Sequence, residues 1–163
     1  MSLPPRIRSA TSGDLALLVA LDRAAFGGDA APAWCLRQWI DLGGSLCAVA
    51  GGDAAEAVGE PILGAVYSAV AVADDRGPRL TAWVLSVAVD PAARGRGIAD
   101  TLLAAVEAKL RGRGVDELLA TVAPGNAASR RLFARRGYTE HELVPAYFGP
   151  GEDRILLSLT IGS

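Results

Sequence analysis

The stretch of sequence that decides the fold joins an apolar strand pattern to an amphipathic helix pattern through a short basic loop. It reads Val87-Ala88-Val89-Asp90-Pro91-Ala92-Ala93-Arg94-Gly95-Arg96-Gly97-Ile98-Ala99. The first turn of a helix leaves backbone N–H groups without partners, and the helix dipole is positive at that end, so such a loop is suited to an anion. Gly95 and Gly97 let a ligand approach the backbone closely, and Arg94 and Arg96 add charge at the rim. The stretch therefore predicts a strand, a diphosphate-binding loop and a helix.

Three other interpretations of this loop are a Walker A loop, a dinucleotide-binding loop and a plain strand-to-helix turn. A Walker A loop would need a Gly-Lys-Ser/Thr ending, which is absent, and the dinucleotide fingerprint fails because position 100 is Asp. A plain strand-to-helix turn with exposed arginines is compatible with the glycines alone. What remains as a motif is Arg94-x-x-Gly97-x-Ala99.

Outward from the loop, periodicity predicts the remaining elements. Towards the N-terminus we expect strands at 6–9, 46–50, 61–73 and 80–89, a helix beginning near Ser12, and a helix with Pro32 in its first turn. A loop is expected at 51–60 and a turn at 74–78. Towards the C-terminus we expect a helix from Gly97 to the Gly112 region, a strand at 118–123, a helix from Asn126 through Arg136, and strands at 138–144 and 154–161. This order predicts the α+β (mixed α/β) class, with one domain at 1–163 around a central sheet.

Composition bounds the class of protein. The 163 residues are 51% hydrophobic and 21% charged, which is typical of a packed globular protein and excludes a largely disordered one. The longest apolar stretch, 62–73, is too short for a membrane helix, and the N-terminus lacks a secretory signal pattern. We therefore expect a cytoplasmic protein with no membrane partner. The spacing of Cys35 and Cys47 matches no zinc or redox motif, so no metal is expected.

Charge is distributed unevenly along the chain. The net charge is −2, yet nine Lys or Arg stand against four Asp or Glu between Arg94 and Arg136. This local excess suits a phosphorylated ligand, although basic faces are also common as solvated surface. A nucleic-acid partner is disfavoured because the basic residues are not interleaved with aromatic ones.

Two separated blocks carry a resemblance to a known family. The motif at Arg94–Ala99, with Val87–Pro91 before it and Leu102-Leu103 after it, resembles the acetyl-CoA-binding motif of the GNAT superfamily of N-acetyltransferases. The second block resembles the family's helix that begins with Asn and ends in Gly-Phe or Gly-Tyr. It consists of Asn126, Ala128, Leu132-Phe133 and Arg136-Gly137-Tyr138. With Ile7-Arg8 and Asp14-Leu15 matching the first strand and helix, the resemblance covers nearly the whole chain.

The resemblance implies a fold and a co-substrate. The fold would be a central mixed, mostly antiparallel sheet of about seven strands, splayed between strands 4 and 5, with about four helices on both faces. Acetyl-CoA would lie in the splay. The residues implied to bind it are Val87, Ala88, Val89, Arg94, Gly95, Arg96, Gly97, Ile98, Ala99, Asn126, Ser129, Arg130 and Phe133. For Asn126 a helix cap alone, and for Arg130 a solvated side chain, are the competing interpretations. A homodimer is also compatible with the family.

The resemblance implies N-acetyl transfer, but the usual proton-transfer residues are missing. Many family members use a strand carboxylate as base and a Tyr on the Asn-initiated helix as acid. This chain has Trp83, Leu85, Ser86 and Thr121 on the strands and Phe133 at the Tyr position. The candidate catalytic groups are the backbone N–H of Val87, to polarise the thioester, with Tyr147 as acid and His141 as base.

The acceptor is predicted to be a primary amine of which a large fraction is already neutral near pH 7. At pH 7.4 an α-amine with a pKa of about 7.8 is roughly one third neutral, whereas a lysine amine is about 0.1% neutral. The segment 145–154 also resembles a loop of the ribosomal-protein and peptide N-terminal acetyltransferase branch. A peptide or protein N-terminus, or a small-molecule amine, is therefore the expected acceptor. The alternatives are a catalytically silent acyl-CoA-binding module and an acyltransferase that uses a different acyl-CoA.

Overall fold

The computed structural model describes residues 4–49, 60–71 and 79–162. The expected turn at 74–78 and all of the expected loop at 51–60 except Glu60 lie outside these residues. Two compact units are distinguished by their internal packing, Met1–Ala69 with Ser86–Val106, and Val70–Leu85 with Glu107–Ser163.

The first unit contains the N-terminal elements and the loop between β4 and α3. Its elements, numbered in chain order, are β1 (Arg6–Ser9), α1 (Leu15–Phe26), α2 (Ala33–Asp41), β2 (Leu46–Val49) and nearly all of β3 (Ile62–Val70), with the end of β4 (Thr81–Val89) and the start of α3 (Ile98–Gly112). Leu18 of α1 and Leu36 of α2 are fully buried in its core, together with Cys47 and Tyr67. The helices thus pack their apolar faces inwards, as the periodicity predicts.

The second unit contains the start of β4, the end of α3 and the C-terminal elements. These are β5 (Glu117–Val122), α4 (Ala127–Arg135), β6 (Thr139–Val144) and β7 (Arg154–Thr160). β5 pairs antiparallel with β7 over its whole length, from Glu117 opposite Thr160 to Val122 opposite Ile155. Leu110, Leu118 and Leu157 form part of its buried interior.

The strands form a seven-stranded sheet in the order β1-β2-β3-β4-β5-β7-β6. β4 and β5 are parallel, whereas β1–β2, β2–β3, β5–β7 and β6–β7 are antiparallel. The predicted mixed α/β class, the mostly antiparallel sheet of seven strands and the four helices are confirmed for the described residues.

The parallel pair opens early. Thr81, Ala82 and Trp83 of β4 are paired with Glu117, Leu118 and Leu119 of β5. Within the second unit, Val84 and Leu85 continue β4 as a strand without a register partner among the described residues of β5. The predicted splay between strands 4 and 5 therefore begins after Trp83.

Helix α1 begins later than predicted because Ser12–Asp14 forms a 3₁₀ turn instead of the first turn of the helix. The Asp14 carboxylate is the reason. It accepts hydrogen bonds from the Thr11 N–H at 2.8 Å and from both terminal nitrogens of Arg8 at 2.7 and 2.8 Å. Its side chain is only 6% exposed, and these bonds hold the pKa of Asp14 at about 2, below its ordinary value.

Replacing Asp14 by asparagine is expected to lower the free energy of unfolding by about 2 kcal/mol at pH 7. The folded pKa of about 2 lies below the unfolded value of about 3.9, so the carboxylate stabilises the fold above pH 4. That stabilisation is lost as the pH falls from about 4 through 2. Urea unfolding at a series of pH values measures it. D41N, which alters an exposed i,i+4 pair with Arg37, is the matched control. If the free energy of unfolding of D14N falls between pH 4 and 2 as steeply as that of the wild type, this assignment is contradicted.

Candidate active site

The loop between β4 and α3 has the backbone conformation that its glycines allow. A 3₁₀ turn, Pro91–Ala93, precedes it, and α3 starts at Ile98. Gly95 and Gly97 both have φ of +74°, a left-handed conformation that other residues rarely adopt. A Cβ built at either glycine would meet nothing within 4 Å. The backbone is therefore open to a ligand at both positions.

Several backbone donors of this loop are left for such a ligand. Around the turn, Asp90 Oδ1 accepts the N–H of Ala92 at 2.9 Å, and the Asp90 carbonyl accepts the N–H of Ala93 at 2.8 Å. The Arg94 N–H donates to the Pro91 carbonyl at 3.5 Å, and further along the Thr101 N–H donates to the Gly97 carbonyl at 3.0 Å. The N–H groups from Gly95 to Ala99 have no protein acceptor in the described part of the chain. They stand at the N-terminus of the 15-residue α3, whose dipole favours negative charge. The arrangement fits a diphosphate.

The two arginines of the loop differ in their surroundings. Both are exposed. Arg94 donates from Nη2 to the carbonyl of Ala25 at 3.3 Å, which attaches the loop to the C-terminal end of α1 within the first unit. Arg96 lies between the two left-handed glycines. The two side chains place positive charge on either side of Gly95, where a phosphorylated ligand would be held.

The end of β4 turns one edge of its backbone away from β3. The Asp90 N–H donates to the Leu63 carbonyl at 2.9 Å, and a Cβ on Gly64 would lie 2.9 Å from the Ala88 carbonyl oxygen. Because backbone groups alternate between the two edges of a strand, those of Val89, which lies between these two residues, face the other edge. Val89 is one of the residues that the family resemblance implies bind acetyl-CoA.

Sequence reasoning missed an irregularity in β4. The Ala71 N–H donates to the Thr81 carbonyl at 2.8 Å, and the Asp90 N–H donates to the Leu63 carbonyl. Between these two hydrogen bonds, the segment from Thr81 to Asp90 is one residue longer than the segment from Leu63 to Ala71 that it faces. An extra residue in one strand of an antiparallel pair is a β-bulge, a feature common beside active sites. No local pattern in the sequence marks it.

Helix α4 uses its predicted site residues for its own structure. Asn126 Oδ1 accepts the Ser129 N–H at 3.0 Å, so Asn126 is the N-cap. Arg130 donates from Nε and Nη2 to both carboxylate oxygens of Glu140, at 2.8 and 2.9 Å, and from Nη1 to the Pro124 carbonyl at 3.1 Å. Arg130 must leave Glu140 before it can bind a phosphate with the same face.

The aromatic residue at the usual Tyr position lies in the core of the second unit. Phe133 is only 6% exposed, and its ring packs edge-on against Tyr138, with ring centroids 4.9 Å apart. Tyr138 is equally buried, and burial raises the pKa of its hydroxyl above the ordinary value. Both side chains therefore stabilise the interior of this unit.

Tyr147 is displayed on a constrained turn between β6 and β7. It is 38% exposed and packs edge-on against Phe148, which Arg154 covers at 4.9 Å. The turn is closed by hydrogen bonds from the Ala146 N–H to Asp153 Oδ1 at 2.8 Å and from the Glu152 N–H to the Gly149 carbonyl at 2.9 Å. Tyr147 is therefore held in place while its surface stays accessible.

The other candidate proton-transfer groups of the second unit are few. His141 is exposed on β6, with Nε2 2.7 Å from Ser158 Oγ. β4 contains no acidic residue, and the one carboxylate of β5, Glu117, pairs with Thr81 at the end away from the splay. Thr121 and the half-exposed Leu85 occupy positions near the opening. A strand carboxylate base is thus absent from the described residues of β4 and from the open end of β5.

Neither a metal site nor a membrane helix is found in the part of the chain that the structure describes. No group of three or more His, Cys, Asp or Glu side chains there could hold a metal ion. None of the described helices is both long and apolar enough to cross a bilayer.

Comparison with known proteins places this geometry in a family. The model of the acetyltransferase (GNAT) family matches residues 20–138. The ribosomal-protein-S18-alanine N-acetyltransferase from Escherichia coli is 22% identical, with a TM-score of 0.75 over 98% of this chain and 95% of that one. The ribosomal-protein-alanine N-acetyltransferase from Brucella melitensis is 26% identical, with a TM-score of 0.71 over 95% and 99%.

A eukaryotic structure is similar as well. Arabidopsis thaliana Naa50 in complex with the bisubstrate analogue CoA-Ac-MVNAL is 15% identical, with a TM-score of 0.77 over 97% of this chain and 99% of that one. No curated protein sequence matches the chain significantly. The chain belongs to the GNAT family of acetyltransferases, and the predicted family, enzyme class and co-substrate, acetyl-CoA, are confirmed.

Proposed function

We propose that this enzyme transfers the acetyl group of acetyl-CoA to the α-amine of a peptide or protein N-terminus. The observation that carries the donor side of the proposal is the loop at Arg94–Ala99. Its two left-handed glycines and its unpaired N–H groups fit a diphosphate such as that of coenzyme A. The proposal for the acceptor rests on the acid–base groups that the site has and on those that it lacks.

The missing strand carboxylate favours an acceptor that loses its proton easily. An enzyme without a strong base is efficient only with an amine that is already substantially neutral near pH 7. An α-amine meets this condition, whereas a lysine side chain is neutral in only about 0.1% of molecules. The similarity to two ribosomal-protein-alanine N-acetyltransferases is consistent with this choice.

We assign the following roles in the reaction to residues of this chain. The backbone N–H of Val87 polarises the thioester carbonyl. The amine nitrogen attacks that carbonyl carbon, the C–S bond breaks, and the amine gives up its proton. Tyr147 donates a proton to the departing thiolate, and His141 is the candidate to accept the amine proton, directly or through water.

A panel of peptides tests the acceptor. Peptides that share one sequence but differ in their first residue are compared with N-terminally blocked copies that carry one lysine, by thiol release and mass spectrometry. We expect free N-termini to react and blocked copies to stay unmodified. Reaction of the blocked copies alone would exclude an α-amine acceptor. Reaction with polyamines or amino acids instead would favour a small-molecule amine.

A second candidate function has its own observation. Phe133 stands buried where many family members have a Tyr acid, and the missing carboxylate adds to this departure. A catalytically silent acyl-CoA-binding module would bind acetyl-CoA without releasing thiol in the presence of any amine. Calorimetry with acetyl-, propionyl- and longer acyl-CoA also tests whether another acyl donor binds more tightly.

The cellular location and the oligomeric state of the protein are also proposed. The free thiols of Cys35 and Cys47 are consistent with a reducing cytoplasm, and the family resemblance motivates a homodimer. Light scattering on the purified protein measures the assembly directly.

A further inference from the structure

One residue of the turn between β6 and β7 holds a backbone conformation that its side chain disfavours. Ala146 has a φ of +51° and is the one non-glycine residue with a positive φ in the part of the chain that the structure describes. This left-handed conformation costs energy in an L-residue because the Cβ crowds the following carbonyl oxygen. Such strain persists only where surrounding contacts impose it, and it is often found at functional positions.

Two hydrogen bonds within the turn hold Ala146 in this conformation. Its N–H donates to Asp153 Oδ1 at 2.8 Å, and its carbonyl accepts the Gly149 N–H at 3.0 Å. The bond to Asp153 closes the turn just beyond the last pair of the ladder, Val144 opposite Arg154. Because its acceptor is a carboxylate, this bond is the stronger of the two. The Asp153 side chain is therefore the main contact that keeps Ala146 left-handed.

The direction of Tyr147 depends on this conformation because Tyr147 directly follows Ala146. If the φ of Ala146 changed to the usual negative range, the chain after it would rotate, and the Tyr147 side chain would rotate with it. The Tyr147 ring packs edge-on against Phe148, with ring centroids 4.7 Å apart, but Phe148 is itself 64% exposed. An exposed neighbour gives the tyrosine ring little support, so the backbone must set its direction.

The neighbouring acidic residue of the turn, Glu152, makes a different contact. Glu152 Oε2 accepts a hydrogen bond from Arg154 Nη2 at 2.8 Å, and its side chain is exposed. The Glu152 carboxylate thus binds a side chain, whereas the Asp153 carboxylate binds the backbone N–H directly before Tyr147. Removal of either carboxylate takes one negative charge from the same turn. Glu152 is therefore a control that separates loss of charge from loss of the backbone contact.

We propose that Asp153 is a positioning residue for Tyr147, which fixes the direction of the tyrosine hydroxyl by accepting the N–H of Ala146 and keeping that residue left-handed. This inference rests on the proposed function, in which Tyr147 donates a proton to the departing thiolate. An acid is effective only when its proton is within hydrogen-bond reach of the atom that receives it. A rotation of the tyrosine therefore lowers kcat. Asp153 acts through Tyr147 and transfers no proton itself.

A double-mutant cycle with Tyr147 tests this role. In D153A we expect kcat for the most active peptide of the panel to fall about tenfold, with the peptide KM and the Kd of acetyl-CoA within about twofold of wild type. D153N keeps a carbonyl oxygen for the Ala146 N–H and should retain at least about half of the wild-type kcat, as should the control E152A. In the Y147F background, D153A should lower kcat by less than about twofold, because the hydroxyl through which it acts is already gone.

An NMR measurement follows the turn without reference to activity. NOEs between the rings of Tyr147 and Phe148 should persist in D153N and E152A and weaken in D153A. A second variant, A146P, breaks the same hydrogen bond from the donor side, because proline has no N–H and requires a negative φ. It should match D153A in both the NOEs and kcat.

Several outcomes would overturn the inference. These are unchanged NOEs in D153A and A146P, an equal loss of kcat in D153A and E152A, a rise in peptide KM alone, and a full tenfold loss when D153A is added to Y147F. If wild type releases no thiol with any amine, the proposed function fails, and the NOEs alone decide whether Asp153 holds Tyr147. If Y147F retains full kcat, the acid role fails, and any effect of D153A on kcat overturns the inference.

Discussion

The G97W variant is expected to lose binding of acetyl-CoA by at least about 100-fold, which corresponds to about 3 kcal/mol. Gly97 has a φ of +74°, and a Cβ there would point into space that is empty of protein atoms. A tryptophan would strain the backbone and would also fill the space in front of the free N–H groups. Isothermal calorimetry with acetyl-CoA measures the loss, and activity should fall in parallel.

Two further variants separate backbone strain from blocked access. Asparagine tolerates the left-handed conformation, so G97N should leave the melting temperature nearly unchanged and still weaken binding. G112A, at the end of α3, changes a glycine that has open space around it and should leave the Kd within about twofold. Wild-type affinity in a folded G97W protein would exclude the loop as the diphosphate site.

The Y147F variant is expected to lower kcat about 100-fold while the Kd of acetyl-CoA stays unchanged. Phenylalanine preserves the edge-on contact with Phe148 and removes only the hydroxyl that is proposed to protonate the thiolate. A positioned acid typically contributes a rate factor of about 10² to 10⁴. Single-turnover measurements of thiol release isolate the chemical step from product release.

Y138F is the matched control for Y147F. Tyr138 is buried against Phe133, so loss of its hydroxyl should alter stability and leave kcat within about threefold. If Y147F retains full kcat, the thiolate leaves unprotonated or takes its proton from water, and Tyr147 has no acid role. A selective rise in peptide KM would instead make Tyr147 an acceptor contact.

The fold was predictable from sequence because its signals are local. The glycines at 95 and 97, the helical spacing that starts at Ile98, and the cap at Asn126 each depend on neighbours within a few residues. The parallel pairing of β4 with β5 followed from the family resemblance and not from periodicity. Only the three pairs that end at Trp83 and Leu119 give the point at which it opens.

The parts of the site that sequence could not give depend on residues far apart in the chain. Arg130 and Glu140 meet across ten residues, and Asp153 binds a backbone N–H seven residues away in an irregular turn. In the sequence, Asp153 looks like an ordinary acidic residue of a loop. Only the folded turn brings it to that N–H, and pairings of this kind leave no periodic pattern to detect.

The opening between β4 and β5 has a consequence for the stability of the protein when its co-substrate is not bound. Beyond Trp83, Val84 and Leu85 have no register partner among the described residues of β5, and an unpaired strand edge is where another extended chain can add by hydrogen bonding. Bound acetyl-CoA would occupy that edge and, by mass action, favour the folded form. The supply of acetyl-CoA would then govern not only the turnover of the enzyme but also its resistance to aggregation.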